Sequence, residues 1–320
     1  MTKSRRLELP PGGQLVYLAE GGANVIYRIV WTAEHAPVAT KKKEISPSRR
    51  EQMSIPPELE GKLLRLRKTT PSAIPYQEIA RNFDCSIRPL FKPEEVVDQT
   101  LVQLPIGLVE QCNERLRVAE INGTHPRRRQ GVYLSLDEPF GLLVTDMTTF
   151  GGPNMEMAEF KPKWLLQSPS APPGAKRCRT CALRDMKNHT ARKSCKPEDL
   201  SFCPLKLVSD RFEDVKRATR FINGCRDQAQ LAQLLYQNST LLKLYSHQKT
   251  MCDVGLHGKS PNSRGKSLAM TLRDCTMFVK VSPPPTPPTQ VTFLFCLSMC
   301  SLFADTSRCH GVPKAGLKFA

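Results

Sequence analysis

Two lysines separated by one proline occur in the segment Glu159-Phe160-Lys161-Pro162-Lys163. On an extended backbone that spacing turns both ammonium groups to one side, and the proline ring stiffens their presentation. Like charges held together repel, so the pair suits an anion lodged between them; a solvated basic strand end has the same composition. The segment Met270-Thr271-Leu272-Arg273-Asp274-Cys275-Thr276 places an aspartate beside an arginine just ahead of an apolar run. An aspartate next to a cation stays ionised and can take a proton from a hydroxyl, although the same residues also fit a salt-bridged turn. Glu20-Gly21-Gly22-Ala23-Asn24 falls between two β-rich runs. Its glycines leave backbone N–H groups open to the approach of a phosphate, or simply close a hairpin.

Cysteines form the other constellation. Cys178-x2-Cys181 is followed by Cys195 and Cys203, with His189 between. These are donors of the kind a tetrahedral zinc site uses, but the second pair has seven intervening residues, and free thiols are the alternative. The chain has 12 cysteines in all. Met1-Thr2-Lys3-Ser4-Arg5-Arg6 leads into Leu-Glu-Leu-Pro rather than an apolar core, so a secretory leader is not expected, and an intracellular protein, nuclear or cytoplasmic, is. In that setting thiols or metal ligands are expected rather than a disulfide framework.

Charge restricts the partners. The 320 residues carry 47 lysines and arginines against 30 acids, a formal charge of +17, which draws anions of any class. The basic runs Lys41-Lys42-Lys43 and Arg127-Arg128-Arg129 contain no aromatic residue on which a base could stack, so a specific nucleic-acid partner is not expected. The longest apolar run, Val291 to Ala304, is shorter than the ~18 residues that span a bilayer, and no membrane span is expected. A monomer is the expectation for the assembly.

Several elements must position these groups. Residues 14 to 31 read as two β-rich halves around a small-residue turn, a hairpin. Ala33 to Pro57, polar and proline-punctuated, reads as a surface insertion, and Lys62 to Arg67 begins a third strand. Glu94 to Asn113 suggests a short helix followed by a strand or turn, while Gly141 to Thr145 and Met155 to Phe160 are further strands. Glu213 to Phe221 and Asp227 to Tyr245 place leucines at helical spacing, and Cys275 to Val281 is again a strand. Strands first and helices later predict an α+β fold with two lobes, residues 1–147 and 148–281. Residues 282–320, proline-rich and then rich in Phe, Cys and Ser, read as an unrelated and disordered tail.

The order and spacing of these pieces resemble the inositol-pentakisphosphate 2-kinases from about residue 14 to residue 281. Glu159-Phe160-Lys161-Pro162-Lys163 is close to that family's Glu-Ile-Lys-Pro-Lys. Glu20 to Asn24, Leu64-Arg65, Cys178-Arg179-Thr180-Cys181, Cys203-Pro204-Leu205, Ile222-Asn223-Gly224 and Arg273-Asp274-Cys275 support it in the same order, and the pattern is nearest that of fungal members.

The resemblance implies a two-lobed kinase-like fold with ATP between the lobes, and transfer of a phosphoryl group from ATP, with Mg²⁺, to the 2-hydroxyl of inositol 1,3,4,5,6-pentakisphosphate. It implies that Gly21, Gly22, Ala23 and Asn24 cover the ATP phosphates, that Arg65 reaches them, and that Asp146 and Thr148 lie where the hinge meets adenine. Lys161, Lys163, Arg128, Arg179 and Asn223 would hold substrate phosphates, with Asp274 as the base. The family continues beyond the Arg-Asp-Cys strand into an Asp-Leu-Asp-Leu-Lys segment that holds Mg²⁺ and contacts substrate. Residues 282–320 contain nothing similar, so a chain with impaired turnover, or a non-catalytic inositol-polyphosphate-binding protein, is the companion expectation.

Overall fold

The computed structural model describes residues 7–10, 13–31, 56–71, 74–147, 156–193, 197–254, 263–281 and 293–296. Lys41 to Lys43, Thr148, Cys195 and most of the expected surface insertion lie outside these residues. The chain divides into two units, one taking the described residues up to Arg81 together with Gln99–Asp146, the other taking Asn82–Asp98 and the described residues from Met147 onward.

In the first unit, β1 (Leu7–Glu8) precedes the hairpin of β2 (Gly13–Glu20) and β3 (Asn24–Trp31), and then comes β4 (Lys62–Arg67). The hairpin agrees with the sequence pattern, and a register shift between Tyr17 and Ala19 adds local twist. Helix α1 (Tyr76–Asn82), strand β5 (Gln99–Gln103), helix α2 (Leu108–Ile121) and strand β6 (Phe140–Thr145) follow. The six strands lie in the order β1-β5-β6-β4-β3-β2, with β1 and β5 parallel and the other pairs antiparallel. Between Glu94 and Asn113 a single 3-10 turn (Pro93–Glu95) precedes the strand, as the sequence suggests, and a longer helix that the sequence reading did not include follows it: Gly107 in the left-handed region (φ 82°) opens α2 after the strand has ended. Val109, Cys112 and Leu116 at helical spacing pack with Leu64 and Leu66 of β4 and Val25, Tyr27 and Ile29 of β3. Arg65 therefore belongs to the other face of the sheet, in register with Ile26.

In the second unit, β7 (Glu156–Phe160), β8 (Thr276–Val281) and β9 (Phe293–Cys296) form an antiparallel sheet in that order. The strand β9 falls inside the stretch expected to be a disordered tail; backbone pairing with β8 orders these four residues. The helices are α3 (Arg179–Lys193), α4 (Phe212–Thr219), α5 (Gln228–Leu235), α6 (Ser239–Thr250) and α7 (Ser263–Arg273). The leucine-rich run from Asp227 to Tyr245 is two helices. Gln237 takes a left-handed conformation (φ 51°), and the Asn238 carboxamide oxygen accepts from the Thr240 and Leu241 N–H groups to start α6. Leu231, Leu235, Leu241 and Leu244 join Met277 and Val279 of β8 and Ala158 and Phe160 of β7 in one core. The protein is thus α+β, and no helix among the described residues is long and apolar enough to cross a membrane.

Candidate functional site

Strand β7 stops at Phe160, paired with Met277. Pro162 has no N–H to continue the ladder, so the chain leaves the sheet carrying Lys161 and Lys163. Because β7 and β8 are antiparallel, that exit lies beside the entry to β8. Helix α7 closes there, the Asp274 N–H donating to Met270 O at 3.1 Å, and β8 begins two residues later. Asp274 and the two lysines therefore meet: Lys161 Nζ is 3.1 Å from Oδ2, and Lys163 Nζ is 2.6 Å from Oδ1. The anion between the lysines is the protein's own carboxylate. The segment is not extended throughout, since Lys163 sits at φ 62°. This left-handed turn, rather than strand alternation, aims its ammonium group.

Gln248 holds the arrangement. Completely buried on α6, it accepts the Leu165 N–H at 2.8 Å and donates to Lys163 O at 2.9 Å and Leu272 O at 2.8 Å. One side chain thus joins the lysine segment to the end of α7. Sequence reasoning missed it, although a polar residue in step with Leu241 and Leu244 on the buried face of α6 is the signal that could have found it. Next to Asp274, the Cys275 thiol is fully buried, and burial pushes it up to about 12.

Asn223 is exposed and shares an open groove of about 380 Å³ with Glu159, Lys161, Gly224 and Thr276. Gly224 is required there: at φ 97° it occupies the region L side chains avoid, and a Cβ would stand 2.1 Å from Met157 O. Arg179 is exposed at the start of α3. Its like charge, after burial, pulls the Arg273 guanidinium down from its ordinary value. Arg273 stacks over the Trp164 ring with 4.1 Å to the centroid and donates to Met251 O.

In the first unit the Gly21 N–H donates to Asn24 O at 2.8 Å and closes the turn. A Cβ on Gly21 would meet nothing within 4 Å, and one on Gly22 only Arg129 Nη1 at 3.7 Å. Of the arginine triplet, Arg129 rather than the exposed Arg128 lies against the turn, and its Nε is buried without a hydrogen-bond partner among the described residues. Arg65 and Asn24 are both buried. With its carboxamide oxygen toward the guanidinium, Asn24 accepts from Arg65 Nη2 at 3.0 Å and donates to Tyr76 Oη at 2.7 Å. Asp146 is also buried, its N–H donating to Gly61 O. Beneath the turn, Glu20 bridges Lys68 Nζ at 2.5 Å and His125 Nε2 at 2.8 Å, all three nearly inaccessible. This buried ionic group was not foreseen; only the tertiary contacts assemble it.

Cys178, Cys181 and Cys203 come together, their sulfurs all within 4.8 Å of one another. The hydrogen bond from Cys203 is the main reason the Cys178 thiol is drawn down to about 5, while Cys203 moves up.

A cationic pair closed on a carboxylate in one unit, and an open glycine turn with an arginine beside it in the other, each present donors that suit an anion. The family model described as inositol-pentakisphosphate 2-kinase matches residues 17–232, more than half of the chain, and the chain belongs to that family. It is 29% identical over 244 residues to the inositol-pentakisphosphate 2-kinase of Yarrowia lipolytica (strain CLIB 122 / E 150), covering 68% of this chain and 73% of that protein. The matched interval includes the glycine turn, Lys161, Lys163, Arg179 and Asn223; Asp274 lies beyond it.

Proposed function

We infer that this protein transfers the γ-phosphoryl group of ATP to the 2-hydroxyl of inositol 1,3,4,5,6-pentakisphosphate, giving the hexakisphosphate. The observation that supports this most is the meeting of Lys161, Lys163 and Asp274. Phosphates of a highly charged inositol compete with the Asp274 carboxylate for the two ammonium groups. As they take the lysines, the carboxylate is released to accept the proton of a hydroxyl held beside it. Asn223, across the groove from Lys161, and Arg179 add hydrogen bonds and charge. The reading carries with it the family's two-lobed kinase arrangement, with ATP supplying the phosphoryl group at the glycine turn. There the open space around Gly21 and Gly22 and the unpartnered Arg129 Nε fit an anion, Arg65 and Asn24 stiffen the turn from below, and Asp146 and Thr148 belong to adenine.

Mg²⁺ is a different matter. Among the described residues no cluster of carboxylates converges, the cysteine trio being the one group of three metal-ligating side chains. A second reading, inositol-polyphosphate binding with little turnover, is favoured by the closure of Lys161 and Lys163 on Asp274, which occupies the proposed base in ion pairs.

Calorimetry with inositol pentakisphosphate, against sulfate and citrate, tests the site, and ATP-dependent formation of the hexakisphosphate tests turnover. Selective binding with slow transfer is expected of the 320-residue chain. Transfer at the rate of a complete relative removes the binding-only reading, and no preference over sulfate removes both.

A further inference from the structure

We propose that His125 is a positioning residue: wedged between the carboxylates of Glu20 and Glu120, it fixes the Arg127–Arg129 turn so that Arg129 meets a phosphate group on the glycine turn. The inference rests on the reading of that turn as a phosphate site.

Two elements and the loop between α2 and β6 converge on this ring. Glu20 closes β2 just before Gly21, Glu120 lies in the last turn of α2, and His125 follows in the loop after that helix. The imidazole is 1% exposed, with Nε2 2.8 Å from Glu20 Oε1 and Nδ1 3.1 Å from Glu120 Oε1. Tyr17 meets it edge-on, 6.5 Å between ring centroids. The other oxygen of Glu20 is 2.5 Å from Lys68 Nζ, and the Lys68 N–H donates to Ala23 O at 2.8 Å, so the same group also braces the glycine turn. Taking charged groups out of water is costly, and apolar side chains of similar volume often serve stability as well. The geometry that Glu20, Lys68, His125 and Glu120 impose therefore accounts for them better than any stability they add.

Glu120 also holds the far end of the loop. Its Oε1 accepts the Gly131 N–H at 3.0 Å and its Oε2 accepts the Tyr133 hydroxyl at 2.8 Å, while Gln130 Nε2 donates to His125 O at 3.2 Å. Tyr133 first, then Gly131 and His125, keep this carboxyl below its ordinary value and so charged. The stretch from His125 to Gly131 is thus tied at both ends to one carboxylate. Between the ties, the Arg129 N–H donates to Pro126 O at 2.8 Å and closes the turn Arg127–Arg129. The result sorts the three arginines. Arg127 and Arg128 are exposed, whereas Arg129 is half-buried, its Nη1 3.7 Å from where a Cβ on Gly22 would stand and its buried Nε without a partner among the described residues. A buried donor without an acceptor is costly, and a phosphate oxygen is the acceptor that the open space beside Gly22 admits.

The test is calorimetry on the full chain with ATP and, separately, with inositol pentakisphosphate, which shows whose phosphate occupies the turn. Arg129→Ala should weaken binding of that ligand by about 10-fold or more, and His125→Gln, whose single side-chain nitrogen cannot span both carboxylates, by about 5-fold. In the double variant the loss should equal that of Arg129→Ala alone, because a residue that acts through Arg129 then has nothing left to position. A purely structural His125 would lower the melting temperature of His125→Gln and leave both affinities unchanged. Tyr133→Phe removes one hydroxyl from Glu120, should weaken binding by about 3-fold, and decides the matter should His125→Gln fail to fold. Arg129→Ala weakened with unchanged affinities in the folded His125 variant, or in Tyr133→Phe where that variant does not fold, overturns the positioning role and leaves the phosphate reading in place. So do losses that multiply in the double variant. No loss for either ligand in Arg129→Ala removes the phosphate reading of the turn and the proposal with it.

Discussion

Lys163 Nζ lies 2.6 Å from Asp274 Oδ1, a contact between residues 111 positions apart in the chain. Lys161 closes on the other oxygen of the same carboxylate. The single carboxylate offsets only one of the two positive charges, and a polyanion must displace it to reach both ammonium groups, so the lysines and the aspartate should respond to substitution in opposite directions.

Lys161→Ala and Lys163→Ala should each weaken inositol pentakisphosphate binding by about 10-fold or more, as expected for loss of a charge-assisted hydrogen bond. Asp274→Asn should bind at least as tightly as the unaltered chain, because the competing carboxylate is gone, and should lose about 100-fold or more of any transfer rate. Calorimetry and a phosphorylation assay read the two effects separately. Weaker binding in Asp274→Asn contradicts the competition.

Gln248→Leu keeps the side-chain volume but leaves the Leu165 N–H and the Lys163 and Leu272 carbonyls without their shared partner. A loss of about 3 kcal/mol or more in urea unfolding is expected. Affinity for the inositol should drop as well, although Gln248 touches no ligand. Unchanged affinity in the folded variant means that the clamp does not position the lysines.

Gly224→Ala should cost about 2–4 kcal/mol, since both the positive φ and the Met157 carbonyl exclude a Cβ. Gly21→Ala, into open space, should change stability by less than about 1 kcal/mol and act instead on nucleotide affinity. Thermal melts of the pair check the contrast.

Glu95 supplies a pH test. Burial works to raise its carboxyl, but hydrogen bonds from Lys243, the Lys92 N–H and Thr240 outweigh burial and hold it below the ordinary value. A carboxyl lowered on folding adds stability above its unfolded pKa of about 4.3, and that stability is lost as the pH falls through the folded value. Glu95→Gln should therefore be less stable than the unaltered chain by about 1–3 kcal/mol at pH 7, and the gap should close in acid below about pH 4. A gap that persists unchanged at low pH assigns the loss to packing.

Much of the backbone plan was legible from local chemistry. The hairpin from Gly13 to Trp31, the strand at Lys62–Arg67 and the strand at Thr276–Val281 follow from alternation and turn residues, which act within a few positions. The break between α5 and α6 was not read, because leucines lie on both sides of Gln237, where the backbone turns left-handed. Gln248 was legible only as a polar residue in step with apolar ones; its partners come from two other segments.

The sequence alone determined which charges exist and in what order: a proline between two lysines, an aspartate beside an arginine ahead of an apolar run, cysteines with two residues between them. Those are covalent facts; by themselves they point to an anion, and their order along the chain carries the resemblance to the kinase family. Tertiary structure decided what the charges face. That the lysines close on Asp274, that Arg129 backs the glycine turn and that Cys203 joins Cys178 depend on antiparallel pairing and buried hydrogen bonds. Those interactions act through space, and no local spacing encodes them.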